Sequence, residues 1–260
     1  MSKWLACMRV VWSNLLVYKI NFMLQAFAPL LVFLFIKTSL WTVIYQGHPG
    51  AIAGYSLPQM LTYHLWILVV TLISLGAASQ DLSEDIRLGR ITAYLLYPFS
   101  LFEFHAAGFL ARQCVKLAVA LLTLLGATAL LGMQAPLGKI IQALTLAFLA
   151  GVFWFALNYL FGLLGFWLEE TWTFTVMIQI IAQFFSGAII PLELYPAWLV
   201  RLLALTPFPY LGFVPAKLMM GQDLNFFFAL LVLLCWIIAA LGLGQVVYQK
   251  GLRSYTAAGM

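Results

Sequence analysis

Charge is scarce in this chain. Only 8% of its 260 residues are charged, against ~25% in an ordinary soluble domain. Almost nothing is left from which to build a soluble domain. The net charge of +5 is too small for a nucleic-acid-binding surface. Cysteine is equally sparse: Cys7, Cys114 and Cys235 stand alone, with no CxxC and no nearby histidine, which excludes a disulfide framework and a cysteine metal site. His48, His64 and His105 show no ligand or catalytic spacing. No paired carboxylates or Ser–His arrangement suggest an embedded enzyme. No G-x-x-x-x-G-K-[ST] occurs, so nothing in the chain cradles nucleotide phosphates. Neither Asp nor Glu lies deep in an apolar run, which argues against proton coupling.

What remains is apolar: 65% of the residues are hydrophobic, the composition of an all-α polytopic membrane protein. A span needs ~20 predominantly apolar residues. Six candidates fall near Phe22–Tyr45, Pro58–Ser79, Cys114–Met133, Ile140–Leu168, Trp172–Ile190 and Leu224–Tyr248. The third belongs to a longer helix that starts near Phe102. Residues 2–18 read as an interfacial helix: Trp4, Leu5, Met8, Trp12, Leu15 and Leu16 fall on one face, and Ser2, Arg9 and Ser13 on the other. Asn14 and Lys19 help to separate this helix from the first span. No short apolar core followed by a small-residue cleavage site marks a secretory signal.

Basic residues set an orientation. Lys3, Arg9, Lys19, Arg87, Arg90, Arg112, Lys116, Lys250 and Arg253 fall on one side, and Lys139, Arg201 and Lys217 on the other. The richer side is expected to be cytoplasmic, which puts both termini inside. Lys37 lies within the first span, either facing a cargo path or partner carboxylate, or snorkelling to the outer interface. Arg112 and Lys116, four residues apart, share a helix face. They suit anionic headgroups, an acidic cargo or simple interface anchoring. Asn158, Gln179 and Gln183 either line a cavity or bond helix to helix.

Two segments break the pattern. The connection Gln80–Phe102 concentrates charge: Asp81, Glu84, Asp85, Arg87 and Arg90. Asp81 followed by Glu84 resembles a capping box, and a short helix is expected from about Leu82 to Leu96, stopping before Pro98. Charges interleaved with Ile86, Leu88 and Ile91 suit docking to a cytoplasmic protein, or a solvated connector. Glu169 and Glu170, closing the fourth span, offer a second such contact or a solvated turn. The other segment is Gly187–Gly221. It is apolar, yet carries Pro191, Pro196, Pro207, Pro209 and Pro215. Each interior proline costs a straight helix ~3 kcal/mol. Broken helix at membrane depth survives only when buried in protein or lining a cavity. Two short helices meeting near Leu194–Pro196 are therefore expected to re-enter the membrane. Glu193 and Tyr195 would face water and Trp198 would anchor the return.

The run E-D-I-R-x-G-R-I-x-x-x-L-L-x-P at Glu84–Pro98 resembles the first cytoplasmic loop of ABC type-2 permeases. The run S-G-A-I-I-P-L-x-x-x-P-x-W-L at Ser186–Leu199, with T-P-F-P-Y at Thr206–Tyr210 and P-A-K-L-x-x-G at Pro215–Gly221, resembles that family's segment between spans five and six. The amphipathic start and six spans agree, so the resemblance covers the whole chain as a single domain. It implies the permease subunit of an ATP-binding-cassette transporter in a prokaryotic cytoplasmic (inner) membrane. It also implies a second permease subunit, identical or homologous, and two separate ATPase subunits that bind the ATP and Mg; this chain would bind no cofactor or metal. By the resemblance, Glu84, Asp85, Arg87, Gly89 and Arg90 would couple to the ATPase. Gly187, Pro191, Glu193, Pro196 and Trp198 would form a re-entrant gate, and Lys37, Arg112 and Lys116 would contact cargo or lipid. Many members export their cargo, and an amphipathic or lipid-like molecule is the expectation. The alternative is an ATP-independent secondary carrier, which favours discontinuous helices and coupling carboxylates within spans.

Overall fold

The computed structural model describes residues 3–17, 19–47, 50–76, 80–92, 99–131 and 136–255. Ser2, His48, Ser79, Leu96, Pro98 and Met133 lie outside these, and the side chains of Asn14, Leu15, Leu16, Lys19 and Asp81 are outside the description. Every regular element among the described residues is helical. We number them α1 (Lys3–Val17), α2 (Lys19–Gly47), α3 (Leu57–Ser74), α4 (Gln80–Arg87), α5 (Leu101–Leu131), α6 (Leu137–Leu163), α7 (Trp172–Phe185), α8 (Ala197–Leu203), α9 (Phe213–Met219) and α10 (Phe226–Ser254). Three-residue or four-residue 3-10 turns follow α6 at Leu164–Phe166 and punctuate the broken segment at Leu192–Leu194 and Phe208–Leu211.

Local chemistry fixes the ends. The Ser56 N–H donates to Gln59 Oε1 at 2.9 Å to open α3. Ser100 and Glu103 exchange reciprocal bonds of 2.9 and 3.2 Å to open α5, a capping box. Asn225 Oδ1 accepts from Phe228 N–H at 3.0 Å to open α10.

Among the described residues, four helices are long and apolar enough to cross a membrane: α3, α5 over Leu101–Ala129, α6 continued to Phe166, and α10. Helix α7 is apolar but has only 14 residues, so it is about 21 Å long. The expected fifth segment Trp172–Ile190 keeps its start and is corrected only at its end: the helix stops at Phe185, and Gly187 takes φ +78°, a left-handed conformation that ends helices. The expected helix Leu82–Leu96 is broken in the same way at 88–90, and its last part, 93–96, lies outside the described residues. Helix α4 ends at Arg87, and Gly89 at φ +75° turns the chain.

Helix α6 is the hub, packed against α3, α4, α9 and α10. Its buried face is rich in alanine and glycine, with Ala143, Ala147, Ala150, Gly151 and Ala156 all buried. Small residues let helix backbones approach closely where lipid supplies no hydrophobic drive. Outward faces carry bare apolar side chains such as Leu122, Phe227, Leu231 and Ile238, as lipid contact requires. Helix α1 lies along the first turns of α5: Lys3 pairs with Glu103 at 2.9 Å, and Trp12 Nε1 donates to the Ala111 carbonyl at 2.9 Å. Its expected apolar face is only partly turned inward, since Trp4 and Met8 are half-buried while Leu5 is exposed.

Candidate functional site

Two polar regions stand out, at opposite ends of α3. At its C-terminal end, α4 is mounted on the helix bundle. Leu82 and Ile86 are buried with Ile91, Leu101, Tyr159 and Leu163 in a separate apolar cluster. Two glycines of the α6 terminus make room. A Cβ on Gly162 would meet Leu82 Cδ2 at 2.8 Å, and one on Gly165 would meet the Ser83 backbone at 3.0 Å. With its apolar face inward, α4 turns Glu84, Arg87 and Leu88 outward. Arg90 reaches back to Asp85 at 3.2 Å and Glu84 at 3.6 Å. Surface pairs of this kind contribute little stability. Arg87 Nη1 sits 3.5 Å from the Glu169 carbonyl. This brings α4 against the turn between α6 and α7, around a cavity of about 290 Å³ lined by Ser83, Glu84, Arg87, Glu169, Glu170, Thr171 and Trp172. The sequence marked both charged stretches but gave no sign that they meet.

The broken segment lies alongside α3. It runs as four short pieces, the 3-10 turn at Leu192–Leu194, α8, the 3-10 turn at Phe208–Leu211, and α9, in place of the two expected helices. Its backbone carbonyls are satisfied from within the protein. Gly187 O accepts from Tyr63 Oη at 2.8 Å. Leu211 O accepts from Ser74 Oγ at 2.5 Å, and Ser186 O accepts from Phe213 N–H at 2.7 Å. Trp236 Nε1 donates to Leu205 O at 2.9 Å, and Lys37 Nζ donates to the Ile189 carbonyl. Lys37 is therefore buried and turned to this segment. Pro191 is buried, Pro196 exposed, and Trp198 stands 65% exposed.

Glu193 does more than meet water. It pairs with the buried Lys217 at 2.5 Å and accepts from Tyr55 Oη at 3.0 Å. The Lys217 ammonium also lies over the Tyr55 and Phe213 rings, at 4.4 and 5.6 Å, a cation–π arrangement. Burial first, then the charge and hydrogen bond of Glu193, push the Tyr55 hydroxyl well above its ordinary range. It remains a donor. Tyr195 is half-buried, its hydroxyl donating to Phe184 O at 3.1 Å, and burial raises it too. The trio Tyr55, Glu193 and Lys217 escaped the sequence reading because its members are 138 and 24 residues apart. Glu193 and Lys217 were each marked singly in the sequence, on the same side of the membrane, with nothing to pair them.

Lys116 donates to the Leu75 carbonyl at 2.9 Å, beside Gln113 on the Ile73 carbonyl at 2.8 Å and Trp154 on the Gly76 carbonyl at 3.0 Å. Together they satisfy carbonyls in the last turn of α3 and in the two residues that follow it. The Arg112 guanidinium lies close to Gly108, one turn back on the same helix. Asn158 is fully buried and donates to the Trp154 carbonyl at 2.8 Å, whereas Gln179 and Gln183 are exposed. His64 is buried and accepts from Trp41 Nε1 at 2.7 Å.

Comparison with curated proteins gives no match. The sequence model of a family described as ABC-2 family transporter protein matches residues 30–259, nearly the whole chain and both polar regions. With its long apolar helices, the chain belongs to the ABC-2 transporter family, as an integral membrane transport subunit.

Proposed function

We propose that this chain is the permease subunit of an ATP-driven exporter in a prokaryotic cytoplasmic membrane. It pairs with a second permease subunit, identical or homologous, and is powered by two ATPase subunits that hold ATP and Mg. Helices α2, α3, α5, α6, α7 and α10 are its six spans, with both termini cytoplasmic. Glu84, Asp85, Arg87, Gly89 and Arg90 engage the ATPase. The segment around Gly187, Pro191, Glu193, Pro196 and Trp198 re-enters from the outer face and gates the path. Lys37, Arg112 and Lys116 lie where cargo or lipid would pass, and the cargo is amphipathic or lipid-like.

The observation that carries this reading is the mounting of α4. Its apolar face is buried in the chain's own cluster, while Glu84, Arg87 and Arg90 are exposed. A charged helix fixed to the bundle by one face can transmit a push; a free connector cannot. The gate reading is supported by the carbonyls that Tyr63, Ser74 and Lys37 satisfy, since unpaired backbone is not tolerated in lipid.

The test is Glu84→Lys with Asp85→Lys. The double variant should insert normally, yet lose co-purification of the ATP-binding subunit or its stimulated hydrolysis. Wild-type coupling in a correctly inserted double variant would refute the assignment. Cysteines placed at Ser254 and Gly50 should label from the cytoplasm and from outside, respectively.

A further inference from the structure

The loop between α2 and α3 is short but structured. Ile52 and Tyr55 exchange backbone bonds of 3.0 Å each. The two residues between them, Ala53 and Gly54, take φ of +51° and +82°. That is a two-residue turn of the kind that closes a hairpin. Alanine is disfavoured in this left-handed conformation, and such a residue persists where its surroundings hold it. Tyr45 Oη of α2 supplies one such hold, donating to the Tyr55 carbonyl at 2.6 Å. The Tyr55 ring is thereby fixed beside Tyr63 of α3, with centroids 5.9 Å apart.

The broken segment has an inner and an outer part. Helix α9 is the inner part, packed against α3 and α6, with Lys217 buried among Pro215, Ala216, Leu218 and Met219. The turn at Leu192–Leu194 packs against α8, and α8 turns Trp198 and Leu202 outward. Glu193 therefore belongs to the outer part and Lys217 to the inner one, and their ion pair ties the two together. Tyr55 touches both charges. Its hydroxyl donates to Glu193 Oε1 at 3.0 Å, and its ring lies 4.4 Å from Lys217 Nζ.

An ion pair with one partner at the water edge has two arrangements. In one, Glu193 bonds Lys217 and Tyr55. In the other, the Glu193 side chain, already partly open to solvent, is hydrated. A lysine left alone in an apolar interior would make the second arrangement prohibitive. Here the Tyr55 and Phe213 rings face the ammonium, and cation–π attraction lowers the cost of separation. Gating elements need two such packings.

We propose that Tyr55, Glu193 and Lys217 form a latch on the outer gate. Paired, they hold the Leu192–Leu194 turn and α8 down on α9; separated, they release them. Tyr55 is the positioning residue, because it ties both charges to the α2–α3 loop. The inference rests on the gate role proposed for this segment and names the contact that breaks when the gate opens.

The test follows Leu203, a buried residue on the inward face of α8. The full chain carries Leu203→Cys as a reporter, with Cys7, Cys114 and Cys235 replaced by alanine. It is placed in lipid nanodiscs with the ATP-binding subunit that co-purifies with it. Labelling by a small charged methanethiosulfonate reads how often the reporter is uncovered. In this parent chain, labelling should be slow and should speed up several-fold during ATP turnover. Glu193→Gln weakens the pair and should label several-fold faster without ATP. ATP should then add little, because the latch is already open. Tyr55→Phe keeps the ring and loses only the hydroxyl, and should show a smaller rise of the same kind. Asp223→Asn, which breaks the ion pair with Lys139, should label as the parent does. A pair that merely stabilises the fold would let ATP multiply the rate in the variants as it does in the parent. That result overturns the latch, as does an unchanged rate in Glu193→Gln or an equal rise in Asp223→Asn, and the gate role survives all three. If ATP turnover leaves labelling of the parent unchanged, the gate role falls, and the latch with it.

Discussion

The charged end at α4 and the broken segment from Gly187 to Gly221 solve opposite problems with polar groups. Around α4, the backbone is ordinary helix and the side chains Glu84, Arg87 and Arg90 turn outward. In the broken segment the backbone is irregular, and carbonyls along it are met by donors from Tyr63, Ser74, Lys37 and Trp236. One region offers unfilled bonding capacity to a partner. The other spends its capacity on itself. The difference teaches where each can be mutated: α4's outer face is a surface whose loss should cost function and little stability, while the broken segment is a packed unit whose loss should cost both.

The largest effect is expected at Gly187. Its φ of +78° disfavours any side chain, and an added Cβ would press on Tyr63 Oη and Phe213. Gly187→Leu should destabilise the protein by about 2–5 kcal/mol, combining left-handed strain with overpacking. A thermal melt in detergent measures it, and an unchanged melt would mean that the segment is not packed on α3.

Next is the Lys217–Glu193 pair. Lys217→Met should cost about 1–3 kcal/mol, less than a fully buried pair because the Glu193 side chain is 31% exposed. Adding Glu193→Gln should recover part of that loss, since the stranded carboxylate is then gone. A double-mutant cycle on melting free energies reads the coupling, and strict additivity would show that the two charges act independently.

A smaller effect is expected at the α4 mount. Gly165→Val must push the Ser83 backbone away, at about 1 kcal/mol of local strain. Stimulated ATP hydrolysis should fall while the melting of the broken segment, followed by hydrogen exchange at Gly187–Gly221, stays as in wild type. Equal loosening of both regions would erase the contrast between them.

The smallest effect is a pH dependence at the loop before α10. Lys139 bonds Asp223 and holds its carboxyl below the ordinary value of 3.8. A depressed carboxyl contributes stability above its unfolded pKa and loses it as pH falls through the folded one. Melting temperature should therefore drop slightly as pH falls below 3.8, and Asp223→Asn should flatten that slope. Because Asp223 is fully exposed, a slope indistinguishable between the two proteins would show that solvent screens the pair.

The long apolar runs, five prolines in one segment and charge gathered at Glu84–Arg90 were all legible from residue order, because composition and periodicity act locally. The apolar residues of the expected helices recur as α2, α3, α5, α6 and α10, with α5 starting at Leu101 as the expected longer helix near Phe102 requires and α10 running six residues past its expected end at Tyr248. The end of the fifth helix was missed because Trp172–Ile190 is almost wholly apolar, and hydropathy does not register the left-handed turn at Gly187. The length of α4 was missed for the same reason at Gly89. What residue order determined was that this chain lives in a membrane, where backbone must be satisfied internally, and which stretches could not be straight helices. Only the tertiary structure decided which donors satisfy which carbonyls, that Lys217 meets Glu193 under Tyr55, and that Arg87 of α4 meets the turn at Glu169. Those contacts join residues from 24 to 152 positions apart, and in lipid, with no hydrophobic drive between helices, small-residue packing on α6 rather than any local pattern chooses which of them meet.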